Sequence, residues 1–109
     1  MVSMAKTPEG LIQDAVCQFL EWKRYTFWRQ NTVGLYDPTK KIFRAMPKYA
    51  MKGVSDIIVL KDGRAMFIEV KSKTGKLSEA QVAFKETVER AGCAYFTVRS
   101  VDDLISLGF

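Results

Sequence analysis

The chain has 109 residues, 48% of them hydrophobic and 27% charged, with a net charge of +5 and no histidine. One core and one domain over residues 1–109 are expected at this length, and without an apolar run of membrane-span length or a signal-peptide core the protein is expected to be cytosolic and off the membrane. Lack of histidine excludes histidine triads, histidine zinc sites and phosphohistidine chemistry, and Cys17 and Cys93, read as buried free thiols, cannot build a zinc site.

Thr7-Pro8-Glu9 reads as a helix start, with Thr7 as N-cap, proline at the first helical position and an acid in the first turn. Leu11, Ile12, Ala15, Val16, Phe19 and Leu20 continue a helical stripe to about Lys23. Glu9 in that first turn favours the helix dipole whatever else it does. Tyr25 to Gln30 reads as a strand, and Asn31 to Gly34 as a turn or loop. Residues 35–52 are polar, basic and aromatic, with a possible short strand at residues 42–45.

Positive charge concentrates here. Residues 21–52 carry Lys23, Arg24, Arg29, Lys40, Lys41, Arg44, Lys48 and Lys52 against only Glu21 and Asp37, more than the whole net charge of the chain. Interleaved with Trp22, Tyr25, Phe27, Trp28, Tyr36, Phe43 and Tyr49, these residues suit contacts to phosphate with stacking or apolar support. The same pattern also fits a solvated basic face over core aromatics.

Two apolar strands follow, at about residues 55–60 and 64–71, joined at Asp62-Gly63. That dipeptide is a strong hairpin signal, because a type I′ turn needs positive φ at both central residues. With these two residues as the loop, Lys61 faces Arg64, and the same register sets Asp56 directly opposite Glu69 on one face. Lys71 joins that face two residues on; a three-residue loop with a bulge would break the match. Opposed carboxylates repel, and a hard divalent cation removes the penalty while taking its other ligands from phosphate oxygens. An ordinary hairpin with solvent-facing Asp, Glu and Lys is the plain alternative. Carboxylates, lysine and a hard metal ion are the catalytic means this composition leaves.

Beyond a basic loop holding Lys73 and Lys76, Ser78-Glu79-Ala80-Gln81 fits the capping-box pattern at the start of a second helix, which Gly92 closes. Ala94 to Val98 is a last buried strand, followed by a short helix from about Val101 to Leu107. The order αβ(β)ββαβα predicts an α/β fold, a mixed sheet flanked by helices, with a right-handed crossover and parallel strands between residues 64 and 98.

Gly53-Val54-Ser55-Asp56, Ile68-Glu69-Val70-Lys71, Gly75 to Gln81 and Ala91-Gly92 together resemble the virus-type replication-repair nuclease (VRR-NUC) domain. That domain belongs to the restriction-endonuclease-like PD-(D/E)xK superfamily, whose acid-x(n)-Glu-x-Lys core is matched with 12 residues between Asp56 and Glu69. The resemblance runs from Glu9 through Ser100; Ser55 stands where the wider superfamily has a proline. It implies Mg²⁺- or Mn²⁺-dependent hydrolysis of DNA phosphodiesters. Asp56, Glu69 and the Val70 carbonyl would hold the metal, and Lys71 would serve the attacking water and the transition-state charge. Glu9 matches the family's first-helix acid and would complete the site or bridge to a second metal position. Gln81 would orient substrate or water, or serve as the capping partner of Ser78, or both. Arg29 and Asn31 would shape the site or touch phosphate. Lys23, Arg24, Lys48, Lys52, Lys73, Lys76 and Lys85 are candidate backbone contacts, which position DNA without reading its sequence.

Stand-alone members look like small resolvases of phage type, so a dimer cutting branched DNA such as a four-way (Holliday) junction is expected, in a repair or recombination setting. The apolar C-terminus, Leu104 to Phe109, offers interface surface or closes the core. A non-catalytic DNA-binding module of the same fold, a sequence-reading restriction- or homing-type nuclease, and an RNA-directed nuclease remain the alternatives.

Overall fold

The structure is a computed structural model that describes residues 7–30, 36–37, 42–43 and 48–109. Helix α1 (Pro8–Trp22) starts where capping chemistry places it, the Thr7 hydroxyl accepting from the Gly10 N–H at 3.0 Å. Strand β1 (Thr26–Arg29) is followed by β2 (Tyr36–Asp37) and β3 (Ile42–Phe43), which pair antiparallel with each other. Strands β4 (Ile57–Lys61) and β5 (Arg64–Val70) form the expected hairpin; then come α2 (Glu79–Arg90), β6 (Ala94–Val98) and α3 (Val101–Ser106).

The main sheet has the order β1-β4-β5-β6, antiparallel except for the parallel β5–β6 pair that brackets α2. The α/β class and the flanked mixed sheet stand. The order differs from expectation in the segment between β1 and β4: its described residues contribute two strands rather than one, in a separate ladder, and residues 44–45 of the expected short strand lie outside the described residues. Two-residue strands are too short to show the alternation by which a strand is read from sequence.

The sheet's two faces are closed differently. Val16 and Leu20 of α1, with Leu104 and Phe109, pack on Ile57, Val59, Met66, Ile68, Val70 and Val98. Each fully buried aliphatic side chain here contributes about 1.5–3 kcal/mol. The opposite face carries the smaller cluster of Phe84 and Val88 from α2 with Tyr95, flanked by Phe67 and Val54. Edge-to-face ring contacts join Phe67 to Phe84 and Phe84 to Tyr95, at 5.5 and 6.2 Å between centroids. At the C-terminus Leu104 and Phe109 close the core, while Ile105 and Leu107 stay exposed. Cys17 and Cys93 are free but only half-buried. Among the described residues no helix is long and apolar enough to cross a membrane.

All three helices end in the same motif, a left-handed residue whose N–H reaches back to the last turn while the next N–H reaches one residue further. Gly92 (φ +86) does this after α2 and Gly108 (φ +96) after α3. After α1 the position is held by Arg24 at φ +63, with Arg24 N–H to the Glu21 carbonyl at 2.9 Å and Tyr25 N–H to the Leu20 carbonyl at 3.0 Å.

Candidate active site

The β4–β5 turn sets the site's register. Asp62 and Gly63 both have positive φ (54° and 78°), the type I′ geometry, and Lys61 pairs with Arg64. The ladder runs back to Ile57 opposite Ile68, so Asp56 and Glu69 are the next pair beyond it. They are tied reciprocally: the Asp56 N–H donates to Glu69 Oε2 at 3.1 Å, and the Val70 N–H donates to Asp56 Oδ2 at 2.8 Å. From the other side, the Gln30 N–H donates to the Asp56 carbonyl at 2.7 Å. Buried Ser55 donates its hydroxyl to the Ile57 carbonyl at 3.2 Å, fixing the chain just before the acid.

Glu69 is 1% exposed. Its second carboxylate oxygen accepts from Gln81 Nε2 at 2.5 Å and lies 3.8 Å from Lys71 Nζ. Gln81 works at both ends of its amide: Oε1 accepts from the Ser78 N–H at 2.8 Å, completing the capping box, while Nε2 holds the acid. The one amide thus caps α2 and contacts Glu69. Gly53 (φ +76) presses against the same turn of α2, and a Cβ there would collide with the Ala80 carbonyl. Both the loop entering Asp56 and the side chain holding Glu69 are therefore referenced to one helical turn.

Burial, reinforced by the Asp56 charge and opposed by Lys71, raises the Glu69 carboxyl from 4.5 to about 8. A buried carboxylate facing another carboxylate is unfavourable without a cation. Two such oxygen donors suit a hard divalent ion completed by water and phosphate oxygens. Among the described residues no group of three or more His, Cys, Asp or Glu stands together as a metal site. Glu9 sits half-buried in the first turn of α1, one turn before Gln13. Val70 contributes the amide contact described above.

Arg29 is held from α1, its Nη2 donating to Gln13 Oε1 at 2.6 Å. Gln13, Arg29, Gln30 and Asp56 line an open cavity of about 370 Å³, which brings a guanidinium to the approach of the acid pair. Lys23, Arg24, Lys48, Lys52, Lys73 and Lys76 are exposed. Lys23 Nζ lies 6.0 Å from the Phe19 ring centre, and Lys48 Nζ 5.2 Å from that of Tyr49. Lys85, half-buried, stands one turn along α2 from Gln81. Asn31, Gly34, Lys40, Lys41 and Arg44 lie outside the described residues.

Sequence reasoning passed over Gln13, Gln30 and Tyr95. Gln13 follows Glu9 by one helical turn, a spacing that would have flagged it; Gln30 acts through its backbone and leaves no side-chain signal. Tyr95 pairs with Phe67 across β5–β6, on the Glu69 face. Its hydroxyl is buried without a hydrogen-bond partner among the described residues. Burial and the charges of Glu69 and Asp56 push the Tyr95 phenol well up.

The described residues thus form an α/β domain, a helix-flanked mixed sheet with two opposed acids and a lysine close together. The VRR-NUC domain profile matches residues 7–102, and the chain belongs to that family, a family of nuclease domains. A solved structure of a VRR-NUC domain superposes with a TM-score of 0.68 at 23% identity, over 95% of this chain and 100% of that one, a likeness of fold. No curated protein matches the chain.

Proposed function

We propose that the chain is a divalent-metal-dependent endonuclease that hydrolyses DNA phosphodiester bonds, with branched DNA such as a four-way junction as its substrate and a homodimer as its working form. The observation that carries this reading is the carboxylate pair, Glu69 buried and Asp56 half-buried, which face each other with Gln81, the Val70 amide and Lys71 around them. A fold keeps opposed carboxylates where a cation joins them.

Asp56 and Glu69 would hold Mg²⁺ or Mn²⁺, which when bound polarises the phosphate and acidifies water. Gln81 fixes the rotamer of Glu69, so that the oxygen facing Lys71 keeps its place. Lys71, 11% exposed at its side chain, offers a desolvated cation beside the pair, where charge develops on a phosphorane-like transition state. Arg29, steadied by Gln13, receives a phosphate along the cavity that reaches Asp56. The exposed lysines and Arg24 grip the backbone without reading bases. Nothing resembling a dedicated sequence-reading element accompanies them among the described residues, which supports recognition by shape. Two symmetric centres would give paired cuts across a junction.

The test is cleavage of a labelled four-way junction beside linear duplex of the same sequence, with Mg²⁺ or Mn²⁺ and with Lys71→Ala as control. Junction-selective cutting that disappears in the variant and in chelator is expected. Equal cutting of both substrates would sink the junction assignment, and tight binding without metal-dependent cutting would make the chain a non-catalytic DNA-binding module. Light scattering that finds only monomer on and off DNA would remove the dimer.

A further inference from the structure

Arg99, at the junction of β6 and α3, is not used by the chemistry above, yet it is committed on both sides. Its Nη1 donates to the carbonyls of Ser72 at 2.5 Å and Gly75 at 2.7 Å. Its own N–H donates to Asp103 Oδ2 at 2.8 Å, and the Asp103 N–H is in turn capped by the Ser100 hydroxyl at 3.2 Å. The segment it grips leaves β5 directly after Lys71, whose N–H donates to the Val98 carbonyl at 3.0 Å. Internally that segment has one tight turn, with Gly75 N–H shared between the Ser72 carbonyl at 3.2 Å and the Ser72 hydroxyl at 3.1 Å.

With two of its carbonyls turned inward onto one guanidinium, the loop leaves Lys73, Thr74 and Lys76 exposed. Among the described residues neither lysine has a carboxylate partner. Two unpaired cations, on a loop pinned at Ser72 and Gly75 that follows Lys71 in sequence, form a preset cationic edge. Such charge-assisted bonds from a planar fork are stronger and more directional than an ammonium can supply.

We propose that Arg99 is a positioning residue for the DNA backbone: by clamping residues 72–75 it holds Lys73 and Lys76 where they receive phosphates flanking the scissile one. The proposal rests on the DNA-nuclease reading and adds to it a source of binding order that lies outside the acid-lysine centre.

The test compares wild type with Arg99→Gln, Arg99→Lys, Lys73→Ala/Lys76→Ala and the Arg99→Gln triple variant. For each, steady-state KM and kcat are measured on the same labelled junction in Mg²⁺, with binding affinity in chelator as a function of salt. Arg99→Gln is expected to raise KM and Kd roughly tenfold with kcat within about twofold, and to flatten the log–log salt slope by about 2, the loss of two phosphate contacts. Arg99→Lys should fall between. Adding the two lysine changes to Arg99→Gln should cost little more, because the lysines have already lost their place. Amide exchange at residues 73–76, which needs no DNA, should speed up in Arg99→Gln and Arg99→Lys. A fall in kcat at unchanged KM, fully additive losses, or loop amides as protected as in wild type would each overturn the clamp. Wild-type protein that binds no DNA would overturn the functional reading instead, with the exchange data still deciding whether Arg99 orders the loop.

Discussion

The two faces of the sheet are built on opposite principles. Under α1 and α3, Ile57, Val59, Ile68, Val70 and Val98 meet Val16, Leu20 and Leu104 in one apolar cluster. Under α2, the same two central strands present Glu69 buried, Asp56 beside it and Lys71 at the margin, and only Phe84, Val88 and Tyr95 make an apolar cluster. One face stores cohesion; the other holds charges that are unfavourable in the isolated protein. Alternation along β4 and β5 lets a single hairpin serve both, since neighbouring residues point to opposite sides. Stability and chemistry should therefore be separable by mutation, residue by residue along one strand.

The sharpest separation is expected from the acids. Asp56→Asn should lower metal-dependent cleavage by at least about 10²–10³-fold while leaving the thermal midpoint unchanged or higher, since a carboxylate facing Glu69 is removed. A cutting rate that survives Asp56→Asn would mean that this face is not the reactive one. From the other side, Leu20→Ala should destabilise by about 2–5 kcal/mol, measured by urea unfolding. Its rate per folded molecule should stay at the wild-type value, and a matching loss of rate would show that the faces are coupled.

Gln81 belongs to both accounts. Gln81→Glu keeps a capping-box partner for Ser78, because glutamate serves at that position as well as glutamine. It also replaces the amide donor with a carboxylate against Glu69. Helix stability should hold within about 1 kcal/mol while cleavage falls, whereas Gln81→Ala should lose some of both. Cleavage at the wild-type rate in Gln81→Glu would reduce Gln81 to a cap.

The buried acid also gives the metal-free protein a pH signature. Folding raises the Glu69 carboxyl from 4.5 to about 8. Between those values the folded chain keeps a proton that the unfolded chain has released. The stabilisation is therefore full below 4.5, is lost progressively as pH rises toward 8, and levels off beyond. Urea midpoints across that window in chelator should decline, and Glu69→Gln should remove this component of the slope. Added Mg²⁺ should reverse the trend, because it favours the ionised pair.

The smallest expected effect concerns the helix ends. Arg24 adopts the left-handed conformation that Gly92 and Gly108 supply elsewhere. Arg24→Gly should raise stability by about 0.5–1 kcal/mol, read from the thermal midpoint, while weakening DNA binding. A gain in stability with unchanged affinity would make Arg24 a helix stop alone.

What was legible in the sequence was local. Thr7, Ser78 and Gln81 announced helix starts through their own side chains, and Asp62-Gly63 fixed a register that carried Asp56 to Glu69. The hydrogen bond from Arg29 to Gln13, the press of Gly53 on Ala80 and the burial of the Tyr95 hydroxyl depend on where α1 and α2 dock, which no short-range pattern encodes. The β2–β3 pair was hidden for a different reason, its brevity.

The first turn of α2 bears on the acid pair twice, through Ala80 against Gly53 in the loop that enters Asp56 and through Gln81 on Glu69. Helix ends open more readily than helix middles or central strands. Geometry at the acid pair is thus only as durable as a helix terminus, although the strands carrying it are among the best buried in the molecule. On warming, the catalytic arrangement should dissolve ahead of the hydrophobic core, giving a range of temperature in which the chain is folded, can still bind, and no longer cuts.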